Sequence, residues 1–492
     1  MARLLLCSTS RVLLLAVDEL ARAGLVEKVA FAVSGSPGDE PIEAFGEHVD
    51  LGALTAAGLK GDFRGVEPSW LTVDLLEQLA WAETLVYPMM ERLDPLRSQT
   101  FAQRRLLYQH LLCYWSGFLE RTKLDVVLFG SVPHEVSDFI LYALCKQRKI
   151  LTLIVNYTRL PGVCYFSTEF GPHGMIRRDH SGSRELSAAV RANIAGIRRD
   201  YASAIPIDTK ELLERAVFGG LPKLLDHATR VLRAPGWAAR RACSVVSILA
   251  NRTFDKLRDF AQRKINEAEW QAIKADYPAR AEGFVTPHRY VYFLLNFQPE
   301  STTSPLGQRF VDQHIAVAML ARYLPAECTI VVKEHPAQLL EFDHYNYLGR
   351  DRSFYERLSQ VSRVRFAPTN ADHFKLLDGA LLVASVNGTA GWEAVVRRKP
   401  AIVFGEAWYQ NAPGVFRIRT DSDCAAAIER ILQNKVLIDD EMVDRFIEEF
   451  ISCCEYLCTT EEEARFGGIP FDVEQNVAIA RDAIAAGLWQ VC

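Results

Sequence analysis

Residues 381–409 read LLVASVNGTAGWEAVVRRKPAIVFGEAWY, and here strand, turn, helix and strand follow one another with almost no slack. The run 381–384 is short and uninterruptedly apolar, as a parallel strand buried on both faces requires, and Ser385-Val386-Asn387-Gly388-Thr389 puts small polar residues at its carboxyl end. From 390 to 398 apolar residues keep helical spacing. Arg397, Arg398 and Lys399 suit the negative end of that helix, and Pro400 stops it. Residues 401–404 form the next strand and Gly405 opens the next loop.

In an open α/β sheet, ligands bind beyond the carboxyl ends of strands, where a helix N-terminus offers N–H groups to a phosphate. Ser385, Asn387, Gly388 and Thr389 are placed for that role, or equally for an ordinary helix cap, which favours the same residue types. A second strand, 329–332, delivers Lys333-Glu334-His335-Pro336-Ala337-Gln338 at its own carboxyl end. A cation, an imidazole and an amide thus leave a neighbouring strand at the same edge of the sheet, and the two polar clusters at adjacent strand ends are expected to make one crevice.

The surrounding pattern supports a doubly wound sheet. Strand 289–296, helix 307–323, strand 329–332, a helix near 352–360, strand 363–366, helix 371–377, strand 381–384, helix 389–399 and strand 401–404 alternate without interruption.

These residues carry a resemblance. K-E-H-P-x-Q at 333–338 and S-x-N-G-T-x-G-W-E-A at 385–394, followed by Lys399-Pro400 and F-G-x-x-W-Y at 404–409, resemble the carboxyl half of the bacterial capsule polysaccharide biosynthesis family. Phe297-Gln298-Pro299-Glu300, with Thr302 and Thr303, resembles the first strand–loop of that family's nucleotide-binding domain. The likeness spans about 288–410 and is weak in the amino half. It implies the two-lobed GT-B architecture and a glycosyltransferase that uses CMP-Kdo or a related donor.

The resemblance assigns the donor nucleotide sugar to Gln298, Glu300, Lys333, His335, Pro336, Ser385, Asn387, Gly388, Thr389 and Glu393. Lys333 and His335 would meet charge growing on the leaving phosphate, and Ser385, Thr389 and the Gly388 N–H would complete the cradle. Glu393 is open between a ribose contact and a salt bridge, and Trp408 and Tyr409 between a sugar site and core aromatics. No metal or other cofactor is required if these groups suffice.

The amino half opens β-α-β: strand 3–7, a helix from about Ser10, strand 28–33 and a loop from Ser34 to Gly38. Arg11, Asp18 and Glu19 interrupt the apolar start, which therefore does not read as a signal peptide. Residues 68–120, rich in aromatics from Trp70 to Trp115, carry helical spacing. Strand 124–129 then delivers Gly130-Ser131-Val132-Pro133-His134 to a helix start, and strand 150–155 delivers Asn156-Tyr157-Thr158-Arg159. Glu135 and Asp138 fall in the first turns of that helix, where acidic residues are favoured electrostatically. The P-H-x-x-x-D pattern also resembles, weakly, the amino half of the family, which makes His134, Glu135 and Asp138 the catalytic candidates, with Glu169 a further carboxylate.

A chain of 492 residues suits two large domains, and a net charge of −5, from 56 basic and 61 acidic residues, excludes a global electrostatic trap for nucleic acid. Eleven cysteines without a repeated spacing argue for reduced thiols, and Cys453, Cys454 and Cys458 for apolar packing rather than a metal site. Asp421-Ser422-Asp423 has a metal-binding D-x-D spacing but directly precedes a helix, where capping is the better reading. From Arg230 to Lys264, arginines and lysines interleave with apolar residues in a helical pattern that suits either a solvated helix face or anionic lipid.

The expectation is α/β: two Rossmann-like lobes of GT-B type with a helical insertion between them and C-terminal helices. Residues 1–182 form the acceptor lobe, 183–285 the insertion, 286–470 the nucleotide-sugar lobe and 471–492 a last helix. The expected protein is cytoplasmic, at the inner face of the membrane if the basic stretch binds lipid. Its partners are a nucleotide sugar and a glycan or lipid-linked acceptor. A sugar-nucleotide epimerase of the same architecture and a non-catalytic assembly subunit are the alternatives.

Overall fold

The structure, a computed structural model, describes residues 1–33, 45–62, 71–94, 96–177, 185–200, 253–300, 303–339 and 349–489. The loop at 34–38, Trp70, Thr302 and the basic stretch 230–252 lie outside the described residues.

The first lobe is built on β1 (Ala2–Cys7), β2 (Val26–Val33), β3 (Glu47–Asp50), β4 (Val126–Phe129), β5 (Leu151–Tyr157) and β6 (Val163–Ser167), in the order β6-β5-β4-β1-β2-β3. All pairs are parallel except β5 with β6. Leu4, Leu5 and Leu6 are all fully buried, because helices cover both faces; this is why the strand does not alternate. The helix Arg11–Arg22 starts where the Ser10 hydroxyl accepts the Leu13 N–H, and buries Val12, Leu13, Ala16, Val17 and Leu20 on one side. On the other face the helix Phe101–Thr122, opened by a Thr100/Gln103 capping box, buries Trp115, whose indole N–H donates to Ser137 Oγ at 3.1 Å.

The second lobe carries β7 (Tyr290–Leu294), β8 (Thr329–Lys333), β9 (Val364–Ala367), β10 (Val383–Ser385), β11 (Ala401–Val403) and β12 (Val415–Arg417), all parallel, in the order β12-β11-β10-β7-β8-β9. Both sheets share the doubly wound order, whose direction of winding reverses between the first and fourth strands. The expected two-lobed α/β fold is the observed one.

Several local expectations change. The strands that carry Lys333 and Ser385 are not neighbours, because β7, the first strand of the lobe, lies between them and winding proceeds outward on both sides. The helix expected over 389–399 is Ala390–Val396; Arg398 adopts a left-handed φ of 60° that ends it before Pro400. After the helix Asp440–Ser452, Glu455–Tyr456 forms a short strand, β13, antiparallel to β6 of the first sheet. The last helix, Val473–Trp489, packs on Arg11–Arg22, so the chain crosses back and finishes on the first lobe. Within the inserted region, Ala188–Arg199 and Thr253–Arg280 are helices, and Tyr277 anchors the second of them to the other lobe by donating to the Ala367 carbonyl at 2.6 Å.

Candidate functional site

A cleft of about 1340 Å³ opens between the lobes, lined by the segments that follow β4 and β5 on one side and β7, β8, β10 and β11 on the other. It therefore lies at the point of strand reversal in both sheets.

On the second lobe, Asn296 stitches β7 to β10. Its Nδ2 donates to Asn387 Oδ1 at 2.9 Å and its Oδ1 accepts the Val386 N–H at 3.2 Å. Asn387 passes the link on, donating to the Glu406 carbonyl at 3.2 Å. Ser385 Oγ accepts the Gly388 N–H at 3.1 Å and Tyr409 donates to the Gly388 carbonyl, so the 385–389 turn is held both from within and from the segment after β11. Gly405 lets this loop approach 306: a Cβ there would stand 2.6 Å from the Leu306 carbonyl oxygen. Ser385, Asn387, Gly388 and Thr389 all line the cleft.

His335 lines it as well. Its Nδ1 accepts the Ala337 N–H at 3.2 Å, which leaves the proton on Nε2, and burial pulls its pKa down to about 4. The group is a neutral N–H donor rather than a cation.

The other second-lobe candidates divide. Glu300 lines the cleft. Lys333 and Pro336 do not; the Lys333 ammonium donates to the Ala371 carbonyl at 2.8 Å, and burial lowers its pKa to about 8. Gln298 is buried behind the cleft, donating to the Val311 carbonyl at 2.8 Å and accepting from Gln313 at 2.9 Å and Arg350 at 2.6 Å. Glu393 is engaged within the lobe, with His373 Nε2 2.6 Å from its carboxylate, and does not line the cleft. Trp408 and Tyr409 line the cleft yet are mostly buried, Trp408 packing on Trp392 with ring centroids 4.7 Å apart.

On the first lobe, His134 Nδ1 lies 2.7 Å from the Val132 carbonyl, which can only accept; the proton is on Nδ1 and Nε2 keeps its lone pair. Burial lowers the His134 pKa, which keeps the ring neutral. Arg92 braces this loop by donating to the His134 carbonyl. His134 and Glu135 line the cleft; Asp138 does not. Its Oδ2 accepts the His134 N–H at 3.4 Å and its Oδ1 is enclosed without a hydrogen bond; burial, then the Glu135 charge, hold its pKa well above the carboxylate range. Glu169 is paired with Lys146 at 3.2 Å and lies off the cleft.

Sequence reading passed over Asn296, Arg92, Arg465 and Glu406, all on the cleft wall. Glu406 is paired with Arg417 and takes the Gln308 amide at 3.2 Å, while Arg417 also meets His173 of the first lobe at 2.7 Å. Glu463, near the chain's return to the first lobe, accepts the Thr459 N–H at 2.8 Å, and burial raises its pKa. The strand-end rule applied to 289–296 would have found Asn296; nothing local marks the others.

Asp423 closes a capping box with Thr420, and Asp421 pairs with Arg322 at 2.8 Å. Among the described residues no group of three or more His, Cys, Asp or Glu is placed to hold a metal ion.

Residues 304–437 match the family model of capsule polysaccharide biosynthesis proteins. The match lies within the second lobe. The match takes in the 385–389 turn, His335 and the F-G-x-x-W-Y segment, and so bears out the resemblance read from the sequence. No curated protein matches the chain. Among solved structures, the chain aligns with the UDP-GlcNAc 2-epimerase of Methanocaldococcus jannaschii at 11% identity, covering 91% of this chain and 98% of that one with a TM-score of 0.25. The Thermosulfurimonas dismutans KpsC beta Kdo 2,7 transferase aligns at 9% identity over 75% of this chain and 88% of that one with a TM-score of 0.28. The beta Kdo 2,4 transferase of the same organism aligns at 14% over 62% and 79% with 0.25. Scores this low carry no argument about chemistry, and the architecture rests on the two strand orders.

Proposed function

We propose that the protein is a glycosyltransferase of surface polysaccharide synthesis. It would transfer Kdo or a related ulosonic acid from a CMP-activated donor to a glycan or lipid-linked acceptor. The observation that carries the reading is a pair of neutral histidines of opposite tautomer lining one cleft from the two lobes: His335 with an Nε2–H to donate, His134 with an Nε2 lone pair to accept.

Breaking the bond between the sugar and the phosphate puts charge on a phosphate oxygen. Fixed donors are the largest single aid to such a step, and the His335 Nε2–H and the Thr389 hydroxyl are donors on residues that line the cleft from the second lobe. The acceptor hydroxyl must lose a proton as it attacks. A neutral imidazole with a free lone pair suits that role near neutral pH, and the Val132 carbonyl keeps the tautomer fixed. Asp138 acts from behind, holding the loop through the His134 N–H rather than touching substrate. In this reading the leaving group is served without a metal.

Among the described residues no helix is long and apolar enough to cross a membrane. A lipid-linked acceptor would therefore be met at a surface, with the basic stretch 230–264 as the contact.

The test is a product assay with CMP-Kdo and a capsule-type oligosaccharide acceptor. The proposal expects an extended acceptor and released CMP, and loss of both in His134→Ala. Conversion of a nucleotide sugar to its epimer without any acceptor would replace this reading with the epimerase. No turnover by a chain that still binds nucleotide would favour the assembly subunit.

A further inference from the structure

Behind the cleft lies an ion pair that no ligand can reach. The side chains of Arg350 and Glu334 are both fully buried, with Nε to Oε2 and Nη2 to Oε1 each 2.9 Å apart. The remaining guanidinium protons go to Gln298 Oε1 at 2.6 Å, the Gly349 carbonyl at 2.9 Å and the Asn296 carbonyl at 3.0 Å. All five donors of the fork are thus used. The carboxylate is equally full: it also accepts Tyr355 OH at 2.6 Å and the His335 N–H at 2.7 Å.

The partners are not scattered. Asn296 and Gln298 belong to the loop after β7, Glu334 and His335 to the loop after β8, and these loops carry Asn296, Glu300 and His335 into the cleft. The approach is tight: a Cβ on Gly349 would stand 2.1 Å from the Gln298 carbonyl oxygen.

Desolvating a charged pair costs several kcal/mol per ion, and well-packed apolar replacements are often no less stable. What such a pair supplies that apolar groups cannot is a fixed direction at each of its bonds. We infer that Arg350 is the positioning residue of the nucleotide crevice: through Glu334 it sets the backbone of His335, and through Gln298 and the Asn296 carbonyl it sets the facing loop. This rests on the reading of the cleft as a nucleotide site. Lysine cannot replace it, because an ammonium has three donors and no planar fork.

The experiment titrates three variants, each below its melting temperature, with whichever of CMP, UDP, GDP and CDP the wild-type chain binds best. Arg350→Lys and Gln298→Leu should each weaken binding about tenfold or more, a loss of about 1.4 kcal/mol. Tyr355→Phe removes a hydrogen bond from the same carboxylate but leaves the fork intact; it should lower Tm and keep the affinity within about twofold. If Arg350→Lys does not fold, Gln298→Leu decides. Unchanged affinity in the fork variants, or affinity that falls in step with Tm across all three, overturns the inference. Absence of binding for all four nucleotides by the wild-type chain overturns the nucleotide reading and this inference together.

Discussion

At the residue scale, protonation state decides what each cleft histidine can do. His335 has a folded pKa of about 4, below the ~6.5 of an exposed imidazole, so the unfolded chain takes up a proton first as pH falls. Its contribution is therefore present above about 6.5 and is lost progressively down to about 4. Chemical denaturation at pH 7 and pH 5 should show the wild type losing about 1–2 kcal/mol more than His335→Gln over that interval. Equal losses would mean that the imidazole is not held neutral by burial. The sequence marked His335 and His134 as polar residues at strand ends, and both are on the cleft wall. It also offered Lys333 and Glu393 for the site, and these point into the lobe, because the residue's place at a strand end does not reveal which neighbour its side chain will find.

At the scale of elements, the D-x-D spacing shows how capping and metal binding share a vocabulary. Thr420 and Asp423 satisfy each other's backbone N–H groups, so Thr420→Ala should cost about 1 kcal/mol in stability, read by denaturant unfolding, and leave turnover unchanged. For the same reason activity should survive chelator. Activity that is lost in chelator and restored by magnesium or manganese would contradict this. The parallel strands were legible because burial on both faces leaves unbroken apolar runs such as those of β1, β4 and β8. β13 was not, since two residues, Glu455 and Tyr456, carry no period and owe their state entirely to pairing with β6. The order of strands in space was likewise invisible locally, and it is β7, through Asn296, that joins what the sequence had set side by side.

At the scale of the molecule, the two lobes share one strand order, and their points of reversal face each other across the cleft. This is why residues far apart in the chain, such as His134 and His335, line the same space. The chain's final crossing, from the second lobe to β13 and the helix on Arg11–Arg22, adds Arg465 and Glu463 to the wall. The most direct measurement is a calorimetric titration of CMP, UDP, GDP and CDP into the wild-type chain and into His335→Ala. The account predicts that CMP binds most tightly, and that the variant, still folded, loses about 1–3 kcal/mol of that affinity, the scale of a hydrogen bond to a charged group. No binding of any nucleotide, or an affinity unchanged in a well-folded His335→Ala, would contradict it.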